Sequence, residues 1–352
     1  MVVSVRSFAK INLGLGIGAL RADGFHELRT VYQTIALHDI VRVSVGRGSG
    51  VEIRCEDSRV PKDESNTCYR IVERAMVALG ARGRVVVEIE KRLPVQGGLG
   101  GASGNAVAAL LALERALKKQ LPGPERLRIA AEVGSDLPLF LVGGTVLGVG
   151  RGEEVYPVAD LPAIPCVIVT PEIGVSTPKA FADWDLLVGP QGLKPESFGV
   201  AGGTAEAVPF PAKLTGTAPS DRMVKFGRVL SAWLGGLSQG KVKTGRASSG
   251  VPVSKGRGRA GNPLLDLVRT GIENDFERVV FPKYPELREV KSVLERAGAV
   301  YASLSGSGSA TYGLFASRVA AEKAAARLRR DGVPATATTT LTRPQYWKKI
   351  FD

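Results

Sequence analysis

The chain has 352 residues, a formal net charge of +13, 43 glycines, three cysteines and two histidines. At roughly 100–200 residues per domain, that length allows two domains, or one large domain carrying an insertion. The scattered Cys55, Cys68 and Cys166 argue against a structural zinc site and for a reducing compartment, and no run of about 18 apolar residues is present to span a membrane.

From the N-terminus, which lacks the basic, apolar and small-residue succession of a signal peptide, Val2 to Phe8 predicts a strand. The expected location is therefore the cytoplasm. Asn12 to Gly18, with Leu13, Leu15 and Ile17 alternating, predicts a second strand, and Arg21-Ala22-Asp23-Gly24 a turn. Val41 to Val45 and Val51 to Cys55 predict a hairpin across Gly46–Gly50. Asn66 or Thr67 caps a helix that runs to Leu79 and stops at Gly80. Val85 to Ile89 is a further strand. A glycine-rich loop follows, and then an Ala- and Leu-rich helix over Asn105 to Leu117. Pro124 to Val133 predicts another helix, and Thr145 to Val149 and Cys166 to Val169 predict strands.

Composition shifts near Val188. From about 188 to 261 the chain is rich in Gly, Pro, Ser, Lys and Arg, and reads as a basic, partly disordered insertion. Asp221 to Leu234 has a helical pattern within it. Ten basic residues between Lys213 and Arg259 face the single acidic Asp221, so much of the net charge belongs to this segment. Order returns with helices at Asn274 to Val280 and Pro285 to Ala297. Strands at Val300 to Leu304 and Thr311 to Phe315 then flank Ser305-Gly306-Ser307-Gly308-Ser309. A helix over Val319 to Arg330 and a strand over Ala335 to Leu341 close the pattern.

Five constellations carry chemistry. The loop Pro94-Val95-Gln96-Gly97-Gly98-Leu99-Gly100-Gly101-Ala102-Ser103-Gly104 lets backbone N–H groups converge on phosphate oxygens, helped by the helix N-terminus after it. It lacks the Gly-Lys-Ser/Thr ending of a Walker loop and a clean Gly-x-Gly-x-x-Gly. Ser305 to Ser309 alone reads as a hairpin turn, and beside the first loop as a second wall of a phosphate site. Lys10, between apolar residues, is either a solvated edge lysine or an ammonium buried against an anion. Asp136, in Gly134-Ser135-Asp136-Leu137-Pro138, is either a helix cap or a catalytic carboxylate. Phe25 and His26 either pack, or stack on and hydrogen-bond a planar ligand.

In this order, Ala9-Lys10-Ile11-Asn12-Leu13, Arg21-Ala22-Asp23-Gly24-Phe25-His26, the first glycine loop, Gly134 to Pro138 and Ser305 to Gly308 closely resemble the GHMP kinase superfamily. The Arg-Ala-Asp-Gly-aromatic-His stretch points to the branch acting on a cytidine-diphosphate-linked methylerythritol. The resemblance covers about residues 1–185 and 262–342. It implies an α+β, two-domain chain: a ribosomal-S5-like domain over 1–160 and a ferredoxin-like domain over 161–342, interrupted by the insertion. It implies a kinase with ATP on Pro94 to Gly104 and Asn66 near the adenine. Asp136 would deprotonate the acceptor's 2-hydroxyl, and Lys10 would keep that carboxylate charged and stabilise developing charge. Phe25 and Phe181 would sandwich the cytosine, His26 would bond its edge, and Asn12 and Thr177 would line the pocket. Ser305, Gly306, Ser307 and Gly308 would support the phosphate site. Phe25 stands where the family usually has Tyr, and Gln96 and Ser103-Gly104 depart from its commoner letters. Ala102 replaces a serine that many members use near the metal, so Mg²⁺ is expected to be held mainly by nucleotide phosphates, with no protein ligand assigned. Rival readings are a homoserine or mevalonate kinase and, from the charge, a nucleic-acid-binding module. The Gly24-Phe25-His26 piece argues against the former. The lack of aromatics between Gly240 and Gly261, where Lys and Arg are densest, argues against the latter. Neither nucleic acid nor membrane is an expected partner, and the assembly is expected to be a monomer or homodimer.

Overall fold

A computed structural model of the protein describes residues 1–189 and 272–351. The basic insertion, with its expected helix over 221–234, lies almost wholly outside the described residues.

The first strand, β1 (Val2–Leu20), pairs antiparallel with β2 (His26–Gly46) along its whole length. The connection is the expected tight turn. Gly24 takes φ +80°, and the Asp23 carboxylate accepts the Phe25 N–H at 3.2 Å. The two strands expected within 2–18 are therefore one, and its register shifts between Phe8 and Ala9 and again near Gly14 and Ile17. From Ser7 to Ile17 both faces of β1 are buried, so the period-2 alternation that marks a half-exposed strand is absent.

The expected hairpin over 41–55 does not form. Instead β3 (Val51–Cys55) pairs in parallel with β4 (Arg84–Glu90), which inserts between β3 and β2. The connection that parallel pairing needs is supplied by α1 (Thr67–Ala78). Asn66 caps that helix, its side chain accepting the Cys68 N–H at 2.8 Å. The next helix, α2 (Gly101–Leu117), begins four residues earlier than expected, inside the glycine loop, and is buried at every position from Gly104 to Glu114. Then come α3 (Gly123–Val133), the short α4 (Leu137–Val142), β5 (Thr145–Val149) and β6 (Glu154–Pro157). The far edge of β2 is shared between β4 over Ile40–Gly46 and β5 over Thr30–Gln33. The helices cover one face of this sheet, where Val5, Val41 and Val87 meet Ile71, Leu110 and Phe140.

The second sheet begins with β7 (Pro165–Val169), followed by α5 (Thr177–Val188). After the insertion come α6 (Glu277–Lys283), α7 (Pro285–Arg296), β8 (Tyr301–Leu304), β9 (Thr311–Leu314), α8 (Arg318–Arg330) and β10 (Ala335–Thr339). Its order is β10-β7-β9-β8, every pair antiparallel. One face packs on α7 and α8 through Val167, Leu294 and Leu328. The other brings Cys166, Ile168, Tyr312 and Leu314 against Ala9, Ile11, Leu13 and Ile35 of the first sheet. Helix α6 starts three residues later than expected because the side chains before it are used elsewhere. Asn274 donates to the carbonyls of Leu304 and Gly306 at 2.9 and 2.8 Å, and Asp275 accepts the Ile17 N–H at 2.9 Å. A last helix, α9 (Arg343–Lys349), was not expected. It is held by a Thr342/Gln345 capping box and returns Tyr346 to the first core, where its hydroxyl donates to the Phe140 carbonyl at 2.6 Å. Among the described residues no helix is long and apolar enough to cross a membrane.

The two sheets also meet where the first glycine loop touches the β8–β9 turn. Gly98, at φ +74°, lies so close that an added Cβ would overlap the Ser305 carbonyl oxygen and stand 2.9 Å from that of Gly308. Gly98→Ala should cost about 2–4 kcal/mol, from strained backbone plus a clash against backbone atoms that have no rotamer to change. Urea unfolding measures it, and a cost below about 0.5 kcal/mol would mean that the turn simply yields.

Candidate active site

The loop is oriented by its carbonyls. Gly97 O accepts the Ala310 N–H at 3.0 Å, Gly98 O accepts the Ser305 hydroxyl at 2.9 Å, and Leu99 O accepts the Lys10 N–H at 3.0 Å. Across a planar trans peptide, N–H and C=O point in opposite directions. The N–H groups of Gly98, Leu99 and Gly100 are therefore turned away from these partners; Gly98 and Gly100 line both cavities of the site and Leu99 one of them. Gly100 precedes α2 with φ +69°, so the helix N-terminus adds its partial positive charge to the same concavity. Glycine is also required at Gly100 by space, since a Cβ there would lie 3.0 Å from Lys10 Cγ and from Phe140 Cζ.

Lys10 is not an edge lysine; it is 3% exposed. Its ammonium donates to Asn12 Oδ1 at 2.7 Å and stands 3.5 Å from Asp136 Oδ2. Asn12 in turn donates to Thr30 Oγ1 at 2.7 Å, and Thr30 to the Gly14 carbonyl at 2.8 Å. Asp136 occupies the N-cap position of α4 without capping it. Its other oxygen accepts the Tyr32 hydroxyl at 3.0 Å. Burial, and after it the Asp136 charge, pushes the Tyr32 phenol well above its ordinary pKa, so Tyr32 stays protonated and donates.

Two cavities meet at this point. One, of about 370 Å³, is walled by Pro94 to Ser103 and by Val60, Pro61 and Asn66 to Cys68. The other, of about 690 Å³, holds Lys10, Asn12, Asp136, Phe25, His26, Thr177 and Phe181. Gly98, Gly100 and Ser103 line both. Gly306 and Ser307 of the second glycine turn line the larger cavity, and the Ser307 hydroxyl lies 2.7 Å from that of Thr177. Gly104 faces inward instead; a Cβ there would lie 2.9 Å from the Phe8 carbonyl oxygen.

Two placements differ from expectation. Phe181 does not stand open opposite Phe25: its ring lies flat on His26, centroids 5.0 Å apart and 2° from parallel, with its edge relation to Phe276 at 5.0 Å. Phe25 is 50% exposed, with the Arg151 guanidinium 4.9 Å from its ring centre. Asn66 is on the rim of the smaller cavity, but its amide is committed to the α1 cap and to the Pro61 carbonyl at 2.6 Å.

Four residues of the site were not anticipated: Tyr32, Arg151, Asp39 and Lys91. Asp39 is fully buried and accepts from Lys91 Nζ at 2.6 Å, Asn105 Nδ2 at 3.0 Å, and the N–H groups of Arg92 and Leu93, both at 2.7 Å. It anchors the entrance to the loop and holds a second ammonium beside the start of α2. The available signal was a carboxylate within the apolar strand Ala36-Leu37-His38-Asp39-Ile40-Val41.

Comparison with known proteins gives the family. The GHMP kinases N terminal domain family matches residues 66–144, and the GHMP kinases C terminal family matches 261–334. A 4-diphosphocytidyl-2-C-methyl-D-erythritol kinase of Solibacter usitatus is 35% identical over 93% of this chain and 85% of its own. A crystal structure of 4-(cytidine 5'-diphospho)-2C-methyl-D-erythritol kinase superposes with a TM-score of 0.65 at 28% identity, covering 96% of this chain and 98% of that one. A homoserine kinase from Cytophaga hutchinsonii has the same TM-score at 20% identity over 97% and 95%, a likeness of fold. The two-domain α+β architecture is that of the GHMP kinases, and the chain belongs to the 4-diphosphocytidyl-2-C-methyl-D-erythritol kinase family.

Proposed function

We propose that the protein transfers the γ-phosphoryl group of ATP to the 2-hydroxyl of 4-diphosphocytidyl-2-C-methyl-D-erythritol, a step of non-mevalonate isoprenoid biosynthesis. The observation that carries this reading is the Lys10–Asp136 pair, 3.5 Å apart, at the junction of a phosphate-type cavity with an aromatic one. The nucleotide occupies the smaller cavity, with its phosphates on the N–H groups of Gly98 to Gly100 and the start of α2. The acceptor occupies the larger, its planar base at the Phe25 and His26 end and its hydroxyl at Asp136. The boundary between the two domains falls near residue 160 on this reading, between β6 and β7.

Phosphoryl transfer requires positioning and charge stabilisation more than covalent chemistry. Asp136 accepts the proton of the acceptor hydroxyl while the hydroxyl oxygen bonds to the γ-phosphorus. The bond from that phosphorus to the bridging oxygen breaks, and ADP leaves. Lys10, shielded from water and fixed by Asn12, faces the oxygens on which charge develops. Among the described residues no three His, Cys, Asp or Glu side chains cluster as a metal site. The donors available here, the Asp136 carboxylate and the Ser103 hydroxyl, suit an Mg²⁺ held mainly by nucleotide phosphates. Mg²⁺ neutralises phosphate charge when bound.

A homoserine or mevalonate acceptor would have no use for the aromatic end of the larger cavity. Phosphorylation of the cytidine-linked substrate, with none of homoserine or mevalonate, is expected in a coupled ADP-release assay; the reverse preference would defeat the proposal. Asp136→Asn should lower kcat about 10²–10⁴-fold with the KM for ATP changed less than about threefold. Turnover near wild type would remove Asp136 from the role of base.

A further inference from the structure

We infer that Tyr32 is a positioning residue: its hydroxyl, 3.0 Å from Asp136 Oδ1, fixes the rotation of that carboxylate so that the base is presented to the acceptor in one orientation. The inference rests on the reading of Asp136 as the base.

Asp136 has little else to hold it. It precedes a six-residue helix, makes no cap hydrogen bond there, and its side chain is 33% exposed. Lys10 at 3.5 Å is a diffuse electrostatic partner and its direct hydrogen bond goes to Asn12. A carboxylate tethered only so would turn about its Cβ–Cγ bond, and a base must be held within about 10–20° of its productive geometry. The phenol supplies a directional second tether from a ring that cannot move.

The ring is fixed because the fold makes a slot for it. A Cβ on Gly148 of β5 would lie 2.5 Å from Tyr32 Cε2, and one on Gly152, at φ +98°, would overlap the hydroxyl itself. Two glycines on β5 and the turn after it thus leave room for a phenol at this position. In the β1–β2 register Tyr32 stands opposite Asn12, so its side chain leaves the sheet on the face that carries Lys10 and Asn12. The charged groups around the hydroxyl are Asp136, Lys10 from β1, whose ammonium is 5.8 Å from the ring centre, and Glu153 from the β5–β6 turn. Arg151 lines the same cavity.

A double-mutant cycle tests the coupling. Tyr32→Phe keeps the ring in its slot, so Tm should stay within about 2 °C while kcat falls about tenfold and both KM values change less than about twofold. In an Asp136→Ala background the same substitution should change the residual kcat less than about twofold, because a residue acting through Asp136 has nothing left to position. Unchanged kcat in Tyr32→Phe, or an undiminished tenfold loss without Asp136, overturns the inference; the second outcome would mean that Tyr32 contacts substrate directly. Near-wild-type turnover of Asp136→Ala would instead overturn the base assignment itself. If Tyr32→Phe fails to fold, Gly148→Ala keeps the hydroxyl but displaces the ring. It should reproduce the loss in kcat with KM for ATP unchanged, and a wild-type kcat would again overturn the inference.

Discussion

The contact of the Gly98 backbone with the Ser305–Gly308 turn is the constraint on which the site depends. It does three things at once. It clamps the two sheets at the end of their shared apolar interface. It pulls the carbonyls of Gly97 and Gly98 toward the second domain, so that the peptide N–H groups point away from it. It also makes the same stretch of backbone a wall of both cavities. Each hydrogen bond involved contributes about 1 kcal/mol net. Their effect is larger on geometry than on stability, because an anion site made from N–H groups works only if those groups are oriented before the anion arrives.

Two ammonium groups, one buried and one nearly so, flank the start of α2. Lys10 lines the larger cavity, and Lys91, bound to the fully buried Asp39, lines the smaller. Removing a charge from water is costly, and a buried pair often gives back in attraction about what desolvation took. Neither lysine is therefore well explained as a source of stability. Both are explained as fixed positive charge placed with a helix N-terminus around one concavity, which is what the polyanionic nucleotide of the proposed function requires. The large formal charge of the chain has little to do with this, since most of it lies in the insertion.

What the sequence disclosed and what it hid follow the range of the interactions. Asn66 and Gly80 bounded α1 correctly because capping is local, within two or three residues. The glycine loop before an Ala-rich helix was legible for the same reason. The residues around Lys10 left it open between a solvated edge lysine and a buried ammonium, because alternation along β1 assumes an unbroken register. The irregularity between Phe8 and Ala9 changes which parity faces the helices, from Val3, Val5 and Ser7 before it to Lys10 and Asn12 after it. The supposed hairpin at 41–55 failed because the partner of β3 lies beyond a helix, and no local signal reports a parallel neighbour. Helix α6 was displaced by the bonds of Asn274 and Asp275 to strands far away in sequence. Tyr32 is the extreme case: an ordinary strand tyrosine whose meaning comes from a carboxylate 104 positions on.

The aromatic end of the larger cavity shows how such a site can be ordered and still open. His26 Nδ1 is 3.3 Å from the Gly18 carbonyl, and Nε2 is 3.2 Å from the Asp185 carboxylate. A carbonyl only accepts, so the Nδ1 that faces Gly18 carries a proton. Asp185 is 53% exposed, and a charged contact so open to water is worth about 0–1 kcal/mol, so a ligand can displace it at small cost. The Gly18 bond and the flat contact with Phe181 are buried and remain, so the imidazole is already oriented when the ligand arrives. Phe181 covers His26, and half-exposed Phe25 lines the same cavity, so under the proposed function a phenylalanine there keeps the stacking face that a tyrosine would offer a planar base.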